Sequence, residues 1–274
     1  MDLSSILQNA SASHDLLAFF LVLRGTLAYV AGRPEYPPQI EAWLTDELGL
    51  HSGKTVLDLG AGTGKFSRSL LATGAKVIAV EPVPAMLEQL VRQYPEVEPR
   101  SGSADAIPLG DASVDAVVCA QSFHWFATPE ALHEIHRVLK PGSALGLVWN
   151  VRDNNVAWVA ALTRIMKRFE GDAPRYHSQK WRAQFPAEGF GPLREKRFPN
   201  LHTGHPERVI VDRILSVSFM AALPPDEQER VKAELREVIA NSPELAGKAQ
   251  VTFPYETLAV VCNKRMYTSG GEMQ

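Results

Sequence analysis

The sequence predicts an α/β protein with a doubly wound, mostly parallel sheet. Short β-branched runs alternate with helical patterns between residues 53 and 150, and a glycine-rich stretch follows the first of these runs. The chain has 274 residues, 45% of them hydrophobic, which is enough to bury a large core. Crossover connections of this kind place helices on both faces of the sheet.

The alternation can be followed run by run. Pro37 and Pro38 open a helix through IEAWLTDELGL, and Gly49 stands near its end. Further strands and helices then alternate in the order KTVLDLG, GKFSRSLLATG, AKVIAVEP, PAMLEQLVRQYP, VDAVVCA, PEALHEIHRVLKPG and SALGLVWN. Beyond residue 150 we expect two helices, around 206–218 and 225–240, and a long closing strand QVTFPYETLAVVCNK.

These patterns divide the chain into five parts. We expect a helical N-terminal arm, a core, a variable segment on the substrate side, a part that completes the sheet, and a disordered tail. Their boundaries are 1–36, 37–150, 151–205, 206–266 and 267–274.

Composition excludes several classes of protein. The net charge is −3, so there is no global basic field for a nucleic acid. Cys119 and Cys262 lie in apolar runs and predict buried free thiols, which suits a reducing compartment and a cytoplasmic location. The apolar run LLAFFLVL is too short to span a membrane, and MDLSS lacks the cationic residues of a secretory signal.

A glycine-rich motif ends the first predicted strand. It reads Asp58-Leu59-Gly60-Ala61-Gly62-Thr63-Gly64, at the edge where open α/β sheets bind ligands. A dinucleotide fingerprint requires glycine or alanine where Lys65 stands, and a phosphate loop requires G-K-S/T. The sequence matches neither motif. Its pattern is instead an acidic residue followed by G-x-G-x-G.

Two later carboxylates occur at spacings that fit this motif. Glu81 ends the second strand 23 residues after Asp58, close to the spacing of a carboxylate that binds ribose hydroxyls. Asp105 follows the third strand, where it can accept from an adenine amino group while the next backbone N–H, that of Ala106, donates to a ring nitrogen.

Taken together, VLDLGAGTGKFS, VIAVEPVPAML, GSADAIPLGDASVDAVVCAQSFHWF and EIHRVLKPGSALGLVWN resemble the class I S-adenosylmethionine (SAM)-dependent methyltransferases of the type 11 group. More loosely, YVAGRPEYP, WNVRD, DRILSVSFMAALP and PYETLAVVCNK resemble the subgroup of trans-aconitate and cantharidin methyltransferases. The resemblance implies a Rossmann-like sheet of seven strands, an antiparallel last strand near 250–263, a lid insertion after the fifth strand and an arm that closes over SAM. The D/N-P-P-Y/F motif of amino-group methylators is replaced by AQSFHW, so amide or amine acceptors lose support.

The spacing of the motifs and the resemblance together predict a set of cofactor contacts and a set of catalytic residues. The predicted cofactor contacts are Tyr29, Arg33, Asp58, Gly60, Ala61, Gly62, Gly64, Glu81, Pro82, Met86, Asp105, Ala106 and Gln121. The predicted catalytic residues are His124, Trp125 and Arg33. His124 can be a general base or can merely orient the loop, Trp125 can wall the pocket or only pack, and Arg33 can bind a carboxylate or form a surface ion pair.

Other polar and aromatic residues carry weaker expectations. Asn150 and Arg152 follow the fifth strand and can face the acceptor. Trp158 and Trp181 are expected in the core. His133 and His136 read as solvated residues of one helix, and no metal site is predicted.

The sequence thus predicts a SAM-dependent methyltransferase that acts on an oxygen of a small acidic or phenolic molecule, with a carboxylate preferred over a hydroxyl. It is expected to be a monomer or homodimer without a membrane span or a nucleic-acid partner. Two alternatives stay open: a methyltransferase for tRNA or protein, and a non-catalytic SAM-binding protein.

Overall fold

The computed structural model describes residues 33–172 and 174–265. Its helices, in chain order α1 to α8, are Gln39–Leu48, Ser67–Ala72, Pro84–Gln93, Pro129–Val138, Ala157–Lys167, Arg213–Leu215, Ser218–Ala221 and Pro225–Asn241. Its strands, β1 to β7, are Thr55–Leu59, Lys76–Val80, Glu98–Arg100, Val114–Ala120, Leu139–Arg152, Arg194–Gly204 and Val251–Asn263. The predicted N-terminal arm, except residues 33–36, and the predicted tail lie outside the described residues.

The seven strands form one sheet in the order β3-β2-β1-β4-β5-β7-β6. The pairs β3–β2, β2–β1, β1–β4 and β4–β5 are parallel, and β7 is antiparallel to β5. The order reverses between β1 and β4, which is the position where doubly wound sheets bind ligands. The predicted fold class is therefore confirmed, including the antiparallel last strand.

Alternate residues of each central strand enter two separate cores. On β1, Leu57 and Leu59 join a cluster with Ile135 of α4, whereas Val56 joins a cluster with Trp43 of α1. Side chains of a strand alternate between its faces, so burial of both sets means that helices cover both sides of the sheet. This arrangement explains why the strand sequences are almost continuously apolar.

The chain separates into two compact units, each with its own packing. The larger includes residues 35–152, 174–201 and 255–265 and contains most of the sheet. The smaller includes, of the described residues, 33–34, 153–172 and 202–254. Within the smaller unit Trp158 of α5 packs edge-on against Phe253, with ring centroids 4.9 Å apart. Trp158 and Trp181 are both buried, as expected.

Several elements differ from those predicted. β5 begins at Leu139 and not at Ser143, because the Lys-Pro-Gly run that reads as a turn is absorbed as an irregularity in the register with β4. Helix α5 was not predicted in the variable segment. The helix expected at 206–218 opens as a π-helix, Glu207–Asp212, and α6 ends at Leu215.

Two smaller expectations can also be compared with the structure. Cys119 and Cys262 are free and buried, as predicted. His136 is less solvated than expected: it is partly buried, and its Nε2 atom is buried beside the ring of Phe190 with no hydrogen-bond partner among the described residues. Burial accordingly lowers the pKa of His136. In the described ranges, every helix is too short or too polar to cross a membrane.

Candidate cofactor and acceptor site

The loop between β1 and α2 is built from glycines in the left-handed region. Gly60, Gly62 and Gly64 have φ of 70°, 58° and 84°. A Cβ atom on Gly60 would lie 2.7 Å from Cβ of Ser122, and one on Gly64 would lie 2.8 Å from Cγ of Leu90. These two positions therefore require glycine for both backbone conformation and space.

Gly62 differs from its two neighbours in the loop. A Cβ atom there would meet nothing within 4 Å among the described residues. Its N–H donates to Oε2 of Glu81 at 2.9 Å. The tip of the loop is thus tied to the end of β2 while its surface faces open space, where a ligand can approach the backbone closely.

Glu81 follows β2 and is only 5% exposed. Its Oε1 accepts from the backbone N–H of Val83 at 3.0 Å, and Oε2 accepts from Gly62. Burial raises the pKa of Glu81, although these two N–H donors act in the opposite direction. A carboxylate has about four lone-pair sites, so two remain for hydroxyl groups of a ligand.

Asp58 is almost completely buried, which favours a supporting role over direct contact with a ligand. It is 1% exposed, and its Oδ2 accepts from the hydroxyl of Ser67 at 2.7 Å. Burial raises the pKa of Asp58 to about 7, and the charge of Glu81 adds to this rise. This hydrogen bond joins the end of strand β1 to the first residue of helix α2 and so fixes both ends of the glycine loop.

The loop that carries Asp105 is fastened by helix α4. Asp105 itself is exposed in a tight turn, where Ser103 and Ala106 form an isolated bridge. Glu134 accepts from the N–H of Ile107 at 2.9 Å, and Arg137 donates to the carbonyl oxygens of Ile107 and Leu109 at 2.9 and 2.8 Å. The sequence did not reveal the part of Glu134 and Arg137, because their i, i+3 spacing predicts an ion pair on the helix but not hydrogen bonds to a distant loop.

The chain turns sharply after β4, at the strand end nearest the glycine loop in the sheet order. Gln121 adopts a left-handed conformation with φ of 57°, which is uncommon for a residue with a side chain. Its amide Nε2 donates to the carbonyl oxygen of Asn150 at 3.1 Å. The hydroxyl of Ser122 donates to the carbonyl oxygen of Leu59 at 2.8 Å and joins this turn to the end of β1.

His124 and Trp125 lie in a single 3₁₀ turn, Phe123–Trp125, directly after that bend. The indole N–H of Trp149 donates to Nδ1 of His124 at 3.1 Å. Trp125 is 39% exposed, and the guanidinium carbon of Arg175 lies 5.2 Å from the centroid of its ring. A partly exposed aromatic ring and a cation therefore lie together after the end of β4.

A buried polar network stabilises the same edge of the sheet. The hydroxyl of Thr257 on β7 donates to Oδ1 of Asn150 at 2.6 Å. The side-chain amide of Asn200 donates to Oδ1 of Asn150 at 3.0 Å and to the carbonyl oxygen of Glu35 at 2.8 Å. The carboxylate of Glu35 pairs with Lys65 at 2.9 Å. This network fixes the chain before α1 beside the glycine loop, and sequence spacing gave no signal for it.

For the remaining predicted residues, the structure gives their exposure but no contact that bears on their predicted roles. Pro82 is exposed, Met86 and Ala61 are partly buried, and Ala106 is exposed. Arg33 is partly buried, and Tyr29 lies outside the described residues. The roles of these residues, including the catalytic role assigned to Arg33, stay predictions.

The residues present fit an adenosyl cofactor. The space beside Gly62, which no described residue fills within 4 Å of a Cβ position, lets a ligand approach the backbone closely, and the spare lone pairs of Glu81 suit ribose hydroxyls. With the strand order of the sheet, the glycine loop after β1 and the buried carboxylate after β2 define the architecture of a class I methyltransferase.

Comparison with known proteins agrees with this architecture. Residues 57–147 match the methyltransferase domain family. A methyltransferase-like protein of Schizosaccharomyces pombe is 45% identical over 245 residues, which cover 86% of this chain and 92% of that protein. A methyltransferase of Mycobacterium bovis is 37% identical over 233 residues, which cover 85% of this chain and 91% of that protein. The chain belongs to the class I SAM-dependent methyltransferase family.

The fold is also found among solved structures. One from Anaeromyxobacter dehalogenans superposes with a TM-score of 0.62 at 22% identity and covers 84% of this chain and 97% of that chain. At this level of identity the likeness concerns the fold alone.

Proposed function

We propose that this enzyme transfers the methyl group of SAM to an oxygen of a small acidic or phenolic molecule, with a carboxylate preferred over a hydroxyl. The main support is the position of Arg175 over the ring of the partly exposed Trp125, directly after β4. A guanidinium offers a planar, permanently charged fork that suits a carboxylate, and an aromatic face suits an apolar or conjugated body. The looser resemblance to the trans-aconitate and cantharidin subgroup favours the same class of acceptor.

Methyl transfer from SAM requires little acid–base catalysis by the protein. When bound, SAM supplies an electrophilic methyl group on a sulfonium, which an acceptor oxygen displaces in line. The protein has to hold the two reactants in line and exclude water. A carboxylate acceptor is already ionised at neutral pH, whereas a hydroxyl acceptor has to lose a proton to a base.

Each predicted cofactor residue has a proposed part in that binding. The backbone of the glycine loop lies against the amino-acid end of SAM, Glu81 accepts from the ribose hydroxyls, and Asp105 with the N–H of Ala106 contacts the adenine. We assign Asp58 a positioning part through Ser67, since its carboxylate is 1% exposed. Tyr29 and Arg33 are proposed to bind the SAM carboxylate, and Gln121 to orient the cofactor or the acceptor.

The two alternatives have less support. A tRNA substrate calls for a wide basic surface, and the chain carries a net charge of −3. A non-catalytic SAM-binding protein would need no cation beside the acceptor side of the cofactor. We further propose that the enzyme works in the cytoplasm as a monomer or homodimer.

The test is a coupled assay for S-adenosylhomocysteine over a panel of small carboxylic acids, phenols and bulk tRNA. We expect turnover on at least one acid, and a KM for that acid that is about tenfold higher in Arg175→Ala. Arg182→Ala is the matched control, because Arg182 also stacks on a tryptophan, Trp181, at 4.8 Å. Turnover on tRNA with none on the acids and phenols would replace this proposal with the macromolecular one.

A further inference from the structure

The hydrogen bond between Trp149 and His124 determines which nitrogen of the histidine carries a proton. An indole N–H can only donate, so Nδ1 of His124, 3.1 Å from Nε1 of Trp149, has to present a lone pair. A neutral imidazole has one protonated nitrogen and one acceptor nitrogen. With Nδ1 as the acceptor, the proton resides on Nε2.

Trp149 cannot turn this N–H elsewhere without repacking the core. Its side chain is fully buried. Its ring packs against Trp181 and Tyr176, with centroids 4.5 and 5.3 Å apart. Its backbone is paired with Leu258 in the register of β5 and β7. A buried N–H without an acceptor is unfavourable, so the protein stabilises the form of His124 that accepts it.

We propose that Trp149 is a positioning residue that holds His124 as the Nε2–H tautomer, so that His124 donates a hydrogen bond and does not act as the general base. The placement of His124 beside the acceptor rests on the proposed function, whereas the tautomer rests only on the contact with Trp149. Both the imidazolium and the Nδ1–H tautomer would place an N–H against the indole N–H.

This assignment bears on the choice of acceptor. A base has to offer a lone pair to the proton that it removes, and the lone pair of His124 already faces Trp149 inside the protein. An acceptor oxygen therefore has to arrive ionised or to lose its proton elsewhere. His124 instead suits an anionic oxygen, toward which an Nε2–H group can donate, and this favours a carboxylate over a hydroxyl.

The experiment is nitrogen-15 NMR of the ligand-free protein labelled at histidine, with the signals of His124 assigned by their loss in His124→Gln. We expect a protonated Nε2 and an unprotonated Nδ1 in the wild type near neutral pH. In Trp149→Phe, which keeps an aromatic ring but lacks the N–H, the ratio of Nδ1–H to Nε2–H tautomer should rise roughly 5- to 10-fold. Trp181→Phe is the matched control, because its N–H donates to the carbonyl oxygen of Tyr176.

A wild-type His124 that is Nδ1–H or doubly protonated would overturn the proposal, and so would an unchanged ratio in a folded Trp149→Phe. If that variant does not fold, the wild-type spectrum still decides. Because no substrate is present, the result does not depend on whether acids are methylated. With an active acceptor, His124→Gln should keep part of the kcat of the wild type since glutamine still donates, and a complete loss comparable to that in His124→Ala would favour the base.

Discussion

At the scale of single residues, the three glycines of the loop serve different purposes. Gly60 and Gly64 are packed against Ser122 and Leu90, so a side chain at either position would disturb the fold. A Cβ atom on Gly62 meets no described residue within 4 Å, and a side chain there would instead enter the volume that we propose for the cofactor. The two kinds of glycine can be separated experimentally.

Gly62→Ala should leave the protein folded but weaken SAM binding about tenfold or more. The matched control is Gly49→Ala at the end of α1, which has a similar φ of 65° and also lacks neighbours within 4 Å among the described residues. Both variants should lose stability by about 1 kcal/mol from left-handed strain, as measured by urea unfolding. Equal SAM affinity in the two variants would show that Gly62 does not border the cofactor.

Asp58→Asn should change how stability depends on pH. The pKa of Asp58 is about 7 in the folded protein because of burial, against about 4 in an unfolded chain. The folded state therefore binds more protons between these values, and this group makes wild-type stability fall as pH rises from about 4 to 7. The variant keeps an acceptor for Ser67, lacks that fall and gains stability relative to the wild type toward pH 7.

Urea unfolding at several pH values measures this effect, with Asp46→Asn on the exposed side of α1 as the control for lost charge. The two variants should diverge as the pH rises. Parallel profiles for Asp58→Asn and Asp46→Asn would mean that Asp58 is ionised in the folded protein.

Local spacing in the sequence was enough to locate the glycine loop and Glu81, whose roles in binding stay predictions. The glycines and Glu81 could be found because a tight turn and a strand end leave few alternatives for such residues. The contact of Trp149 with His124 and the bonds of Asn200 could not be found. They join residues far apart in the chain, and the direction of a side chain depends on packing that no motif records.

At the scale of elements, Asp115 joins three neighbouring strands at the end of the sheet opposite the glycine loop. It accepts from the N–H of Thr55 at 3.0 Å and from the ammonium groups of Lys54 and Lys140 at 3.2 and 2.8 Å. Burial raises the pKa of Asp115, but these three donors together outweigh it and lower the value to about 2. The carboxylate thus holds β1, β4 and β5 together while it is ionised.

This interaction predicts a loss of stability in acid. The folded pKa of about 2 lies below the value of about 4 in an unfolded chain, so the contribution is complete above pH 4 and is lost as the pH falls toward 2. Asp115→Asn should cost about 2 kcal/mol at pH 7 and progressively less below pH 4. Asp226→Asn, on the exposed face of α8, should cost little at any pH. A constant cost of Asp115→Asn down to pH 2 would contradict the assignment.

The elements that sequence reasoning misjudged share a physical cause. The start of β5 contains proline and glycine, which are typical of a turn, but pairing with β4 on one side outweighs that local preference. Helix α5 and the π-helical opening of the next helical segment lie in the smaller unit, where the hydrophobic periodicity is weak. The alternating central elements were predicted correctly because burial on both faces makes their strands continuously apolar.

At the scale of the whole molecule, the sheet order brings the ends of β1, β2 and β4 to one edge. The glycine loop, Glu81 and the turn at Gln121 each follow one of these strands. A cofactor that is bound by all three should stabilise the folded protein in proportion to its concentration relative to the dissociation constant.

The most direct measurement is calorimetric titration of SAM into the wild type, Glu81→Gln and Glu47→Gln. Glu47 is a matched carboxylate on α1 that pairs with Arg194 and Lys196 on β6. We expect a Kd on the order of 10 μM for the wild type and for Glu47→Gln, and at least tenfold weaker binding for a folded Glu81→Gln. No binding by the wild type, or equal binding by all three proteins, would contradict the assignment of this loop and carboxylate to SAM.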